Sequence, residues 1–317
     1  KIVLESIFEA DFKDCSYGFR PKRSAHDALQ KIMTTVNNGK IYWVVDVDIK
    51  GYFDNIPHAK LMTLVEQRVC DRKVLKLIRG WLTAGVMKDD QFHESVIGSP
   101  QGGVISPLLA NIYLNYLDTL WEKKFSHLGT IVRYADDLVV LCHRKAEAIE
   151  TIQVLKAIFK RMELTLNTEK SKLANIWEDD QGFDFLGHHL RRLPVMRKGG
   201  KRARILRCFP SKKAMKKMRA KVKEATASRT LLLKPINDLI EVLNPKIQGW
   251  RNFYAKVDPG VANQFLTKID WYIQRRLLIF WRKKHKKRKR GQVNFYEMLA
   301  RAGLKSATTW QSTYGTR

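Results

Sequence analysis

Hydrophobic residues in the first part of the chain alternate between helical spacing and strand-like runs. Apolar residues three and four positions apart predict helices, whereas short β-branched or aromatic runs bounded by turn residues predict strands. On this basis we expect helices over 24–36, 57–69, 107–121 and 146–162, and extended segments over 41–49, 131–134, 138–142 and 183–190. The two runs on either side of Ala135-Asp136-Asp137 predict a β-hairpin. The pattern is typical of a mixed α/β module.

The pattern changes after Pro194. Residues 197–204 are basic and glycine-containing and predict a solvated loop or linker, and the remainder has mostly helical spacing. We expect helices over 212–225, 235–243, 247–254 and 261–281. The sequence therefore predicts a domain boundary near residue 195, with an α-helical module after it.

Charge divides the chain at the same place. The net charge is +28, and residues 196–317 hold 32 of the 59 basic residues but only 6 of the 31 acidic ones. A module with such a one-sided positive charge usually faces a polyanion, and nucleic acid is the leading candidate. A membrane is not favoured, because no apolar run approaches the roughly 20 residues of a spanning helix.

The cysteines and the N-terminus indicate the compartment. Four cysteines lie far apart with no CxxC pair, which supports neither a zinc site nor a disulfide framework and fits a reducing environment. The first residues lack the apolar core of a signal peptide. We therefore expect a protein of a reducing compartment, not a secreted one.

Four aspartates stand in unusually apolar surroundings. Asp136 and Asp137 are adjacent between two apolar runs, and Asp46 and Asp48 share one face of a predicted strand whose other face is apolar. Buried like charges repel each other, and a divalent cation removes that cost. Mg²⁺ prefers oxygen ligands, so these strands suit a two-metal phosphoryl-transfer site. The alternative for the hairpin is a polar tip that points into solvent.

Several ordered motifs carry a resemblance to a known family. Segments 48–54 (DIKGYFD), 99–103 (SPQGG), 134–137 (YADD) and 166–170 (LNTEK) resemble motifs A to D of reverse transcriptases. Four further segments resemble group II intron-encoded reverse transcriptases and their maturase-specific domain. They are SYGFRP at 16–21, ISPLLAN at 105–111, FLG at 185–187 and NPKIQGWRNFY at 244–254.

The resemblance implies the fold and its division. It implies an α/β (α+β) right-hand polymerase, with an antiparallel catalytic sheet in partial fingers and palm over 1–195. An α-helical thumb, the maturase-specific X domain, would cover 196–290, and a C-terminal basic extension 291–317. The chain would begin after the first fingers strands, which a second copy or another chain would supply. It would lack the Cys/His-rich endonuclease domain.

The same resemblance assigns roles to residues. Asp48, Asp136 and Asp137 would be the catalytic ligands of two Mg²⁺ ions, with Mn²⁺ as a possible substitute. Nucleotide-binding roles would fall to Arg20, Phe53, Gln101, Gly102 and Lys170. Phe53 would be the steric gate that excludes a 2′-hydroxyl, or else an ordinary core aromatic. The expected nucleic-acid-binding cations are Lys212, Lys213, Lys216, Lys217, Arg251, Arg275, Arg276, Lys286, Lys287 and Arg288.

The function implied is an RNA-directed DNA polymerase that binds its intron RNA, assists splicing and copies RNA into cDNA for retromobility. Its partners would be intron RNA, an RNA template with a DNA primer, dNTPs and target DNA, and it would act in the bacterial cytoplasm or an organellar matrix. Two alternatives stay open: a group II-like reverse transcriptase recruited to CRISPR adaptation or phage defence, and a maturase that acts only in splicing.

Overall fold

The computed structural model describes residues 1–84, 86–88, 91–93, 98, 103–177, 182–196, 200, 202–285 and 292–309. The chain forms two compact units, Lys1–Phe183 and Asp184–Arg317. The division falls before the boundary expected at residue 195, because three strands within residues 182–210 form a sheet of their own. Within the described part of the chain, no helix combines the length and apolar character needed to cross a membrane.

The first unit contains six helices and six strands among its described residues. The helices are α1 (Ile2–Glu9), α2 (Ala25–Asn38), α3 (His58–Glu66), α4 (Arg72–Thr83), α5 (Ser106–Leu120) and α6 (Lys145–Arg161). The strands are β1 (Trp43–Val47), β2 (Val86–Lys88), β3 (Gln91–His93), β4 (Thr130–Tyr134), β5 (Asp137–Cys142) and β6 (Lys172–Asn175).

An antiparallel sheet in the order β4-β5-β1-β6 is the platform of this unit. Val45, Val47 and Ile49 belong to the main hydrophobic core, as the period-two pattern predicts. Helix α5 is buried on most sides, which its dense apolar sequence explains. The hairpin predicted around Ala135 is formed by β4 and β5.

The second unit combines a sheet with a helical core. Its strands, in the order β7-β8-β9, are β7 (Gly182–Phe185), β8 (His188–Met196) and β9 (Arg202–Pro210). Its helices are α7 (Lys212–Ala227), α8 (Ile236–Tyr254), α9 (Pro259–Lys284) and α10 (Gln292–Arg301). Apolar residues of α7, α8, α9 and α10 form one core cluster.

Two expectations for this unit are corrected. Residues 202–204 lie in β9 instead of a loop, and the register from His188↔Pro210 to Met196↔Arg202 makes a long hairpin. Pro245 does not separate two helices, because α8 continues through it. A proline inside a helix costs about 3 kcal/mol. Here Leu243 and Ile247 are both fully buried on either side of it, so core packing offsets that cost.

Candidate active site

The register of β1 and β5 brings the predicted carboxylates to one edge of the sheet. Val47 pairs with Leu138 in antiparallel register. Asp48 follows Val47 and Asp137 precedes Leu138, so the two aspartates occupy opposing positions at that edge. Asp136 lies in the two-residue tip between Tyr134 and Asp137, which are themselves paired.

The tip of this hairpin has an unusual backbone. Ala135 adopts a left-handed conformation with φ of 56°, which disfavours residues that carry a Cβ and costs of order 1 kcal/mol. Its carbonyl oxygen accepts a hydrogen bond of 2.8 Å from Nη1 of Arg133. The buried arginine therefore helps to fix the conformation from which Asp136 and Asp137 extend.

The three carboxylates repel one another. The pKa of Asp137 is raised to about 6, chiefly by loss of hydration and further by the charges of Asp136 and Asp48, although the side chain still reaches solvent. Loss of hydration also raises the pKa of Asp136, with an added contribution from Asp48 and opposing ones from its own backbone N–H and from Arg133. Each shift disfavours the charged carboxylate, and a nearby cation would reverse that effect.

The chemistry of this donor set fits a divalent cation. All three side chains offer oxygen atoms, which Mg²⁺ prefers, and their mutual repulsion favours a positive charge among them. Within the described ranges, however, no group of three or more His, Cys, Asp or Glu side chains is drawn together as a metal-binding cluster. The three carboxylates share an edge and interact electrostatically without converging on one point.

Asp48 is held by the segment that follows Leu166. The Asn167 side-chain amide donates a hydrogen bond of 2.9 Å to Oδ2 of Asp48. Nζ of Lys170 lies 3.8 Å from the same oxygen, and the hydroxyl of Ser171 accepts a hydrogen bond of 3.3 Å from the Asp48 backbone N–H. The structure thus places Lys170 and Asn167 beside Asp48, and the sequence motif did not specify a role for Asn167.

A buried polar network stabilises the hairpin of β4 and β5. Arg133 and Asp118 are both fully buried and form a two-pronged ion pair, with Nε of Arg133 2.9 Å from Oδ1 of Asp118. Arg133 also donates to Oδ1 of Asn111 at 3.1 Å. Sequence reasoning missed these three residues. The available signal was a charge inside each of two apolar segments, since such charges are rarely buried unpaired.

The segment around Gly18 packs directly against the hairpin tip. The backbone N–H of Tyr17 donates to the carbonyl of Arg133 at 2.8 Å, and the Asn111 side chain donates to the carbonyl of Gly18 at 2.7 Å. A Cβ added to Gly18 would lie 2.4 Å from the backbone nitrogen of Ala135. Only glycine allows this approach, which explains the glycine of the SYGFRP segment in physical terms.

Arg20 has a different position from the one expected of a triphosphate ligand. Its side chain is 4% exposed and forms an ion pair with Glu9 through Nε and Nη2. Nη1 donates to the carbonyl oxygens of Lys13 and Ser16 at 2.6 and 2.9 Å. These contacts occupy the guanidinium, so the structure gives Arg20 the role of joining α1 to the loop before α2.

Of the other residues expected to bind nucleotide, Phe53 lies in the described part of the chain, whereas Gln101 and Gly102 do not. Phe53 lies in a short 3₁₀ turn, Tyr52–Asn55, and is half-buried with its ring centroid 5.5 Å from that of Tyr52. The Tyr52 hydroxyl donates to the carbonyl of Ala110 at 2.6 Å, which fixes this turn on α5. Gln101 and Gly102 lie outside the described residues.

The cations expected to bind nucleic acid are mostly exposed. Helix α7 buries one face in the core, and its Lys212, Lys213, Lys216 and Lys217 all point away from that core into solvent.

The later cations of this set differ from one another. Arg275 is exposed, Arg251 is half-buried, and Nε of Arg276 donates to the Thr226 hydroxyl at 3.1 Å. Lys286, Lys287 and Arg288 lie outside the described residues.

Comparison with known protein families gives two matches. Residues 1–190 match the family described as reverse transcriptase (RNA-dependent DNA polymerase). Residues 215–296 match the group II intron, maturase-specific domain. The first match covers more than half of the chain, and the second falls in the second compact unit.

Individual relatives agree with these matches. The chain is 48% identical over 118 residues to the group II intron-encoded protein LtrA of Lactococcus lactis subsp. cremoris, covering 37% of this chain and 19% of that protein. It is 32% identical over 229 residues to protein YkfC of Escherichia coli K12, covering 60% of this chain and 58% of that protein. It is 35% identical over 175 residues to nuclear intron maturase 1 of Arabidopsis thaliana, covering 39% and 24%.

The matched regions make up 58% or less of the lengths of these relatives. A solved structure of telomerase from Candida albicans with a fragment of telomeric RNA is similar at a TM-score of 0.49 and 14% identity, covering 95% of this chain and 54% of that one.

Proposed function

The chain belongs to the reverse transcriptase family and carries the maturase-specific domain of group II introns, and from this premise we propose that it is an RNA-directed DNA polymerase acting on intron RNA. Membership of the family confirms the right-hand polymerase fold expected from the sequence. The observation that carries the proposed activity is the β1–β5 register, which sets Asp48 opposite Asp137 beside Asp136.

The proposed reaction joins a primer 3′-hydroxyl to the α-phosphate of a dNTP and releases pyrophosphate. Asp48, Asp136 and Asp137 would hold two Mg²⁺ ions, which would activate the hydroxyl and neutralise charge on the phosphates when bound. Lys170, whose Nζ lies 3.8 Å from Oδ2 of Asp48, would attract the negatively charged leaving group. Phe53 would pack under the sugar, and Gln101 and Gly102 would line the nucleotide site.

The second unit would bind the nucleic acid backbone. The exposed lysines on one face of α7 are not balanced by acidic residues, since residues 196–317 hold only 6. Their affinity for phosphates would come largely from the release of condensed counterions. Binding of the intron RNA by this unit would support splicing, and copying of RNA into cDNA would support retromobility.

Primer extension tests this function. The full chain is incubated with an RNA template, an annealed DNA primer, dNTPs and Mg²⁺, and compared with Asp136→Asn. We expect extension by the wild type and none above background by the variant, with RNA affinity unchanged. Glu150→Gln, which removes an exposed carboxylate on α6, is the matched control and should extend normally.

Three results would contradict parts of the proposal. Wild-type extension by Asp136→Asn would reject the carboxylate site. A wild type that binds intron RNA and promotes splicing without extending primers would instead favour a maturase that acts only in splicing. A protein that does neither would reject the function as a whole.

A further inference from the structure

Trp271 is a large apolar side chain left in solvent. It lies on α9 and is 58% exposed, whereas Ile269 and Ile273 on either side of it belong to the core. Exposing an indole ring forgoes part of the stabilisation that its burial would give. A bound partner that covered the ring would recover that stabilisation.

A groove of about 570 Å³ opens beside this indole. It is lined by Arg219 of α7 and by Thr267, Lys268, Trp271 and Tyr272 of α9. The four α9 residues form two adjacent pairs that are four positions apart, about one helical turn, so they share one side of the helix. Two aromatic rings, two hydroxyls and two cationic groups therefore line one concave surface within the second unit.

The charges around the groove are positive. Arg219 and Lys268 are exposed, and the Arg275 guanidinium lies 5.1 Å from the centre of the Trp271 ring. This contact has the geometry of a cation–π interaction. The groove contains no acidic side chain among its lining residues, so its occupant should be anionic as well as planar and apolar.

We propose that this groove binds one unpaired nucleotide of a single-stranded nucleic acid. The base would stack on Trp271 and Tyr272, and the adjoining phosphates would contact Arg219 and Lys268. Such aromatic platforms flanked by cations are how proteins bind single strands without reading their sequence. The inference rests on the proposed nucleic-acid function of this unit and adds a defined base-stacking site to it.

A binding experiment isolates the stacking contribution. Fluorescence anisotropy would measure the affinity of the full chain for a labelled single-stranded RNA, the same sequence as DNA, and an abasic oligonucleotide of equal charge. We expect Trp271→Ala to weaken RNA binding about 5- to 150-fold, the usual range for loss of one stacked base. Trp271→Phe, which keeps an aromatic face, should restore most of the affinity. The abasic strand should bind both forms equally.

Matched variants separate the contributions of ring and charge. Trp177→Ala removes an indole of similar exposure, 53%, from the first unit and should leave affinity unchanged. Arg219→Gln combined with Lys268→Gln should flatten the salt dependence by about 0.7 for each phosphate of a single strand that is no longer neutralised. If Trp271→Ala weakens binding of the RNA and of the DNA equally, the groove accepts a nucleotide of either kind. If it weakens binding of the RNA alone, the groove recognises RNA. Both results support the site.

Three outcomes would overturn the inference. They are unchanged RNA affinity of folded Trp271→Ala, equal losses for the abasic and the complete strand, and equal losses for Trp271→Ala and Trp177→Ala. Primer extension by the wild type is measured in parallel. If extension is absent while the base-dependent effect of Trp271→Ala is present, the polymerase proposal fails and the groove stands; the reverse result rejects the groove alone.

Discussion

Asn167 donates hydrogen bonds to Asp48 from both its side chain and its backbone. Its amide donates a hydrogen bond of 2.9 Å to Oδ2 of Asp48, and its backbone N–H donates one of 2.8 Å to the Asp48 carbonyl. A bridge between Ile49 and Leu166 continues the contact. The motif that contains Asn167 is thereby joined to the motif that contains Asp48, and one carboxylate oxygen is fixed in direction.

Asn167→Ala should therefore impair catalysis without unfolding the protein. A hydrogen bond to a charged group contributes about 1.5 to 3 kcal/mol, so we expect extension to slow roughly 10-fold or more. Because a freely rotating Asp48 would hold cations less well, half-maximal extension should need more Mg²⁺. Gln30→Ala, on the exposed side of α2, should alter neither quantity. An unchanged Mg²⁺ requirement would mean that Asn167 does not position Asp48.

The buried pair of Arg133 and Asp118 should dominate the stability of the hairpin. Asp118→Asn leaves the buried guanidinium without its counter-charge, and breaking such a pair usually costs about 3 to 5 kcal/mol. Urea denaturation, followed by a probe in the first unit, would measure the loss. Glu66→Gln breaks the exposed pair with Arg79 and should cost no more than about 1 kcal/mol. Similar losses for the two variants would refute the supporting role of the network.

The sequence predicted the elements at the carboxylate edge well. The apolar runs around Ala135 and the alternation along β1 follow directly from side-chain periodicity, and the structure forms both. The catalytic role of Asp48, Asp136 and Asp137 stays a prediction, which primer extension tests. The helices were also predicted in large part, with bounds that differ by a few residues, as expected where helix ends depend on capping contacts.

The periodicity of hydrophobic residues does not predict contacts between residues that are distant in sequence. Arg20 fits a family motif, but only the fold reveals that Glu9 neutralises it. Residues 202–204, the start of strand β9, belong to a segment whose basic residues and glycines predict a loop, although Arg202 and Arg204 alternate with less exposed neighbours. Burial of Arg133 depends on Asp118, fifteen positions away, which no local pattern connects to it.

Gly18→Ala should disturb the hairpin through a steric clash. The new Cβ would lie 2.4 Å from the nitrogen of Ala135, and the atoms that it meets are backbone, which leaves nothing flexible to move. We expect stability to fall by about 1 to 3 kcal/mol, as is typical of overpacking, and extension to slow. Gly80→Ala on α4 is the control, since nothing lies within 4 Å of its Cβ and alanine favours a helix. It should be neutral or stabilising. A Gly18→Ala protein with normal stability and extension would disprove the close packing.

Phe53→Ala should relax the choice of sugar. If the ring packs under the deoxyribose, its removal opens space for a 2′-hydroxyl, and the ratio of ribonucleotide to deoxyribonucleotide incorporation should rise. Single-nucleotide extension with each substrate would measure this ratio. Phe125→Ala, a half-buried phenylalanine packed on the same core, should lower stability comparably without moving the ratio. A flat ratio in a folded Phe53→Ala protein would assign Phe53 to the core alone.

The lysines of α7 should set the salt dependence of RNA binding. Lys212, Lys213, Lys216 and Lys217 are exposed on a helix whose other face is buried, so phosphates can reach all four. Each phosphate neutralised contributes a slope of about −0.7 on single strands and about −0.9 on duplexes in log affinity against log salt. Changing all four to Gln should therefore flatten the slope by up to about 3 on single strands and about 3.6 on duplexes. The control changes four exposed lysines of the first unit to Gln, which removes the same net charge; these are Lys31, Lys73, Lys76 and Lys156. If the lysines of α7 contact phosphate directly, their loss flattens the slope far more than the control does. Equal flattening would mean that net charge alone, and not this face of α7, attracts the RNA.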